Sequence, residues 1–129
     1  MTQQVKSTVQ SATVLVVDDE RDVRDSICEI LQDAGYAVVS AEHGADAMKQ
    51  LRRIPPPSAI VLDLFMPEMN GWRFAEQLKS RSDLATVPVI VVTAASPHWG
   101  TPVPQERVLR KPFQTAHLLR LLEQAVVAT

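Results

Sequence analysis

The chain has very little cysteine. Cys28 stands alone among 129 residues, so no internal disulfide can form and a reducing compartment is implied. Excess basic charge is also missing: the net charge is −2, the pI is near 5.9, and no lysine or arginine cluster stands out. Binding to nucleic acid by phosphate neutralisation is therefore not expected. No apolar run approaches the ~20 residues of a membrane span. The opening MTQQVKSTVQSA lacks the apolar centre of a signal peptide. His43, His98 and His117 are scattered, away from Cys28 and from metal-ligand spacings, which leaves no thiolate–imidazole centre. These absences point to a cytoplasmic protein with neither nucleic acid nor membrane as a direct partner. The length suits one domain, expected over 13–128 behind a flexible tail over 1–12.

What is present is a regular alternation. TVLVV (13–17) is short, β-branched and apolar on both faces, as in a strand buried within a parallel sheet. Val23, Ile27, Ile30, Leu31 and Ala34 then fall at offsets 0, 4, 7, 8 and 11, one face of a helix, with Gly35 as its C-terminal stop. YAVVSA (36–41) predicts a second strand, and 45–54 a helix ended by three prolines. SAIVLDLF (58–65) is a third strand and GWRFAEQLK (71–79) a helix. VPVIVVTA (87–94) and ERVLRK (106–111) are further strands. Leu118, Leu121, Leu122 and Ala125 mark the core face of a last helix, with Leu119 and Val126 off it. Neither repeats nor low-complexity segments occur. Five strands alternating with helices predict a doubly wound α/β fold on a five-stranded parallel sheet.

In such sheets, function sits at the carboxyl ends of the strands. There the sequence places Asp18 and Asp19, then Asp63, Thr93 and Lys111. Three carboxylates at one site repel one another and suit a hard cation such as Mg²⁺, which takes oxygen ligands. A nearby hydroxyl and ammonium suit a phosphoryl group. Asp19 also stands where a helix N-cap would, with Asp22 three residues on. Glu20, Asp22 and Asp25 read as a solvated helix start.

The segments VLVVDDE, VLDLFMPEMNGW, VIVVTA and RKPF together resemble the receiver domain of two-component response regulators, over nearly the whole chain and in order. The resemblance implies a flavodoxin-like fold and a phosphoacceptor signalling domain rather than an enzyme, catalysing only its own phosphorylation and dephosphorylation. Asp63 matches the phosphoacceptor, supplied by a histidine kinase or phosphotransfer protein. The resemblance further implies Mg²⁺, with Mn²⁺ as a substitute, on Asp19 and Asp63, with Asp18 acting through water and the main-chain carbonyl of Phe65 as a further ligand. It places Lys111 and Thr93 on the phosphoryl group with the backbone N–H groups of Leu64 and Ala94. It makes the Lys111–Pro112 peptide cis. Output is then by contact with a downstream protein target.

Two departures stand out. The family's aromatic residue three positions before the lysine is here Val108, which has no ring to swing inward. The connection AASPHWGTPVPQERVLR is short and broken by Pro97, Gly100, Pro102 and Pro104. The fourth helix of the family is accordingly expected to be shortened or missing, Trp99 to fold over the sheet, and pairing through that face is left open. Phe65 and Ala95, two past the acceptor and the threonine, cannot activate water, so a long-lived phosphoform is expected.

An unphosphorylated interaction module is the alternative, but its usual sign, a missing acceptor or acidic pair, is absent. A phosphohydrolase needs a carboxylate two past Asp63, where Phe65 stands. A flavin-binding doubly wound domain needs a phosphate cradle after strand one, where five acidic residues would repel it. The chain reads either as a stand-alone receiver or as part of a longer regulator or hybrid kinase.

Overall fold

The fold follows from how β-branched runs are buried on both faces. The computed structural model describes residues 12–64, 70–94, 103–104 and 107–128. Its strands are β1 (Thr13–Val17), β2 (Ala37–Ala41), β3 (Ala59–Asp63), β4 (Val89–Thr93) and β5 (Val108–Arg110). They form one sheet in the order β2-β1-β3-β4-β5, with every pairing parallel. The helices are α1 (Arg21–Asp33), α2 (Gly44–Leu51), α3 (Gly71–Lys79) and α4 (Thr115–Ala128).

In β1, Val14 and Val16 pack with Ile27 and Leu31 of α1 and with Leu118, Leu122, Ala125 and Val126 of α4. The alternate residues, Leu15 and Val17, pack with Ala47 and Leu51 of α2 and Phe74 and Leu78 of α3. A strand with a helix layer on each side has no face for polar residues, which is why the run is unbroken. A fully buried leucine or valine contributes about 1.5–3 kcal/mol. Two such layers supply the stability against which charged groups gather at the sheet's edge.

Local signals fix the helix ends. After α1, Gly35 has φ 100°, and the N–H groups of Gly35 and Tyr36 bond the carbonyls of Gln32 and Leu31 at 3.0 Å. This is a left-handed terminus that favours glycine. Asn70 caps α3 by accepting from the Arg73 N–H at 3.0 Å. His43 caps α2 through Nδ1, which accepts from the Asp46 N–H at 3.1 Å.

Four expectations change. β1 matches its predicted run, but the other strands are shorter than theirs, and the three residues of β5 replace the predicted 106–111. The α2 helix stops at Leu51, ahead of the prolines. Val126, placed off the core face of the last helix, is buried in the core, because Leu118, Leu122, Ala125 and Val126 together make one stripe. Ala12 is already buried, and its carbonyl accepts from the Ala37 N–H at 3.0 Å. The rest of the expected tail, residues 1–11, lies outside the described residues. So does most of the β4–β5 connection, 95–102 and 105–106, including Trp99; no helix lies between β4 and β5 among the described residues. Among the described residues, no helix is long and apolar enough to cross a membrane.

Cys28 packs at the rim of the α1 core. Burial, and then the Asp25 carboxylate, push its thiol above the ordinary range. The thiolate is thus scarce at neutral pH. Above the ordinary thiol pKa, the unfolded chain ionises while the folded chain does not, so this residue's contribution to stability falls as pH rises. Cys28 should react with a disulfide reagent more slowly than free cysteine at pH 8, with the rate still climbing above pH 9. A rate equal to free cysteine would contradict this placement.

Candidate functional site

The strand order reverses between β1 and β3, and the ends of these strands carry the acidic residues. Val17 pairs with Leu62, so Asp18 and Asp63 leave the sheet side by side. Asp63 pairs with Val92, which puts Thr93 one residue beyond it. Thr93 pairs with Arg110, and the Lys111 N–H donates to the Thr93 carbonyl at 2.9 Å. Four strands thus deliver Asp18, Asp63, Thr93 and Lys111 to one edge.

One carboxylate oxygen from each of Asp18, Asp19 and Asp63 lies within 4.8 Å of the others. Asp18 and Asp63 are buried and Asp19 is exposed. At that spacing two full charges repel by roughly 3–4 kcal/mol at an effective dielectric of about 20. Positive charge offsets this. The Lys111 Nζ lies 3.1 Å from Asp18 Oδ2, 3.7 Å from Glu20 Oε1 and 3.9 Å from Asp63 Oδ2. Its side chain is 15 % exposed. Burial alone would lower the lysine pKa, but Asp63, Asp18 and Glu20 together outweigh it and hold the pKa above the ordinary range. The ammonium therefore persists across neutral pH, and its stabilising effect is lost only as pH rises through that raised value.

One lysine cannot balance three carboxylates and Glu20 as well. The donor set, all oxygen and all anionic, fits a small hard cation such as Mg²⁺. A weak carboxylate nucleophile beside a cation and an ammonium can accept a phosphoryl group, since charge neutralisation and positioning carry that reaction.

The other expected residues fall as follows. Leu64 is buried and Ala94 exposed, each one past its strand's end. The Lys111–Pro112 peptide is cis. Val108 is partly exposed, at the start of β5. Phe65 lies outside the described residues, as does Ala95. Asp19 does not cap α1: the N-cap is Glu20, with no side-chain cap bond. Instead the Glu20 N–H donates to Asp18 Oδ1 at 2.9 Å, and the Asp19 carboxylate joins the cluster.

Three features escape pattern reading. Glu20, 65 % exposed, faces Lys111 rather than standing free at a helix start. Arg24 donates from Nη1 to the Asp18 carbonyl at 2.8 Å. Gly71 has no room for a side chain: a Cβ there would lie 2.6 Å from Leu64 Cα and 2.8 Å from the Asp63 carbonyl oxygen. Its N–H donates to the Leu64 carbonyl at 2.8 Å. Its fixed offset from Asp63 is visible in the sequence, but the steric reason is not. Gly71→Ala should lower stability by about 1–3 kcal/mol through overpacking, read from denaturant midpoints. A midpoint equal to the parent would refute the close approach.

Comparison with known proteins gives a consistent picture. The family model described as "Response regulator receiver domain" matches residues 14–123. The chain is 31% identical over 121 residues to "Protein PilH" of Pseudomonas aeruginosa, covering 91% of this chain and 98% of that one. It is 35% identical over 113 residues to "Response regulator MprA" of Mycobacterium ulcerans, covering 84% of this chain and 47% of that one. It is 38% identical over 88 residues to "Probable transcriptional regulator ycf27" of Porphyridium aerugineum, covering 68% of this chain and 35% of that one. The chain thus spans half or less of the length of the latter two. Among solved structures, chemotaxis response regulator CheY4 of Vibrio cholerae superposes with a TM-score of 0.80 at 31% identity, over 89% of this chain and 98% of that one. The receiver domain of a signal transduction histidine kinase from Syntrophus aciditrophicus gives a TM-score of 0.84 at 25% identity, over 92% of each chain.

Proposed function

This chain belongs to the response regulator receiver domain family of two-component signalling, and from that membership we propose that Asp63 accepts a phosphoryl group from a phosphohistidine. The observation that carries the proposal is the clustering of Asp63 with Asp18 and Asp19 beside the Lys111 ammonium. Receiver domains are signalling domains rather than classical enzymes, and this reading gives the chain catalysis only of its own phosphorylation and dephosphorylation.

In the forward step an Asp63 carboxylate oxygen attacks phosphorus and the N–P bond of the donor breaks. The imidazole leaves with the bonding pair and takes up a proton, and Asp63 becomes an acyl phosphate. In the separate hydrolytic step water attacks phosphorus and the bond from phosphorus to the Asp63 oxygen breaks, restoring the carboxylate and releasing inorganic phosphate. Asp19 and Asp63 would hold Mg²⁺ or Mn²⁺, with Asp18 acting through water; the resemblance adds the main-chain carbonyl of Phe65, which lies outside the described residues. The cation supplies neutralisation of the charge shared by carboxylates and phosphoryl oxygens. Lys111 exchanges its carboxylate partners for a phosphoryl oxygen. The Thr93 hydroxyl and the backbone N–H groups of Leu64 and Ala94 donate to the others.

The donor is a histidine kinase or phosphotransfer protein in the cytoplasm, and the phosphoform signals by contact with a protein target. With valine at 108, the message leaves the site without an aromatic swing. A reading as an interaction module independent of phosphorylation needs a gap in the site, and Asp18, Asp19, Asp63, Thr93 and Lys111 are all in place.

Incubation with a small-molecule phosphodonor and Mg²⁺ should label the parent chain at Asp63. Asp63→Asn and removal of the cation with a chelator should each abolish the label. Full labelling of Asp63→Asn, mapped by peptide mass, would sink the assignment.

A further inference from the structure

Asp18 is held at several points. Its N–H donates to the Ala41 carbonyl at 3.2 Å, which simply continues the sheet. Its Oδ1 accepts from the Glu20 N–H at 2.9 Å, and its Oδ2 accepts from Lys111 at 3.1 Å. Its main-chain carbonyl accepts from Arg24 Nη1 at 2.8 Å, and no step of the reaction above uses that contact. Arg24 sits in the first turn of α1, its own N–H bonded to the Glu20 carbonyl at 2.8 Å, and its side chain reaches back over the end of β1.

Residues 18–20 belong to neither strand nor helix, so the peptide between Asp18 and Asp19 has no sheet ladder to orient it. That peptide sets the directions in which both carboxylates leave the chain. A guanidinium on its carbonyl is a charge-assisted bond, about twice as strong as a neutral one. We propose that Arg24 is a positioning residue for the cation site, fixing the Asp18–Asp19 peptide so that both carboxylates are aimed before the cation arrives. The inference rests on the reading of Asp18, Asp19 and Asp63 as the Mg²⁺ site.

The role differs from that of Lys111. The lysine touches carboxylate oxygens and must release them when the site fills. Arg24 bonds the Asp18 carbonyl rather than a carboxylate oxygen, so filling the site need not displace it. Arg21, the neighbouring arginine, is exposed and pairs with Asp25 at 3.7 Å along the helix surface, away from the site.

Positioning and simple electrostatics have opposite signs here, which makes the test decisive. Arg24 is a cation near a cation site. If charge were its whole effect, Arg24→Met would tighten Mg²⁺. If it positions the peptide, Arg24→Met weakens Mg²⁺ by about tenfold, the low end for residues that hold metal ligands. Mg²⁺ affinity of the intact chain, by calorimetry, is the readout. Arg24→Gln, a polar helix former too short to keep the contact, gives the same decision should the methionine variant fail to fold. A constant unchanged or lowered in the folded variant overturns the proposal. A parent chain that binds no Mg²⁺ overturns the underlying site reading, and the proposal with it.

Discussion

The structure depends on one electrostatic constraint: carboxylates gathered at the carboxyl edge of a parallel sheet, with the half-buried ammonium of Lys111 among them. Lys111 bonds Asp18 and lies within 4 Å of Glu20 and Asp63, and burial of Asp18 and Asp63 makes those two contacts stronger than they would be in water. The cluster remains anionic even so. It is therefore a site that is stable enough to fold and that, in the function proposed for it, is completed by a cation and a phosphoryl group.

The fold is what makes that arrangement possible. Both faces of β1 and β3 are sealed by helices, so the strands can end abruptly in charge without opening the core. The parallel pairing brings four distant segments to one edge. Gly71 lets α3 start against the end of β3, with no side chain between them. The rigidity of this edge matters because a carboxylate nucleophile gains from position and neutralisation rather than from intrinsic strength.

Much of this was legible in the sequence. The β-branched runs and the helical stripe of α1 declare buried strands and an amphipathic helix, and Asp18, Asp63, Thr93 and Lys111 stand just where those runs stop. What was not legible depends on direction rather than identity. Asp19 reads in one dimension both as a cluster carboxylate and as a helix cap; it joins the cluster, but the cap is Glu20. Glu20 reads as a solvated helix start, yet it faces Lys111, and the reach of Arg24 back to the Asp18 carbonyl has no mark in the sequence pattern. Val126 lies off the stripe marked by Leu118, Leu121 and Leu122, yet it is buried where α4 meets the sheet, because the packing partner, not the periodicity alone, decides which flank is covered. Gly71 could be seen as a spacing but not as a steric requirement.

The central claim is that the acidic edge is completed by a divalent cation. Thermal unfolding of the intact chain against Mg²⁺ concentration tests it most directly, because a ligand that binds only the folded state raises stability as its concentration passes the dissociation constant. The account predicts a midpoint that climbs with Mg²⁺ in the parent chain and stays flat when Asp19 and Asp63 are both replaced by asparagine. A parent midpoint indifferent to Mg²⁺, or an equal rise in the double variant, would contradict it.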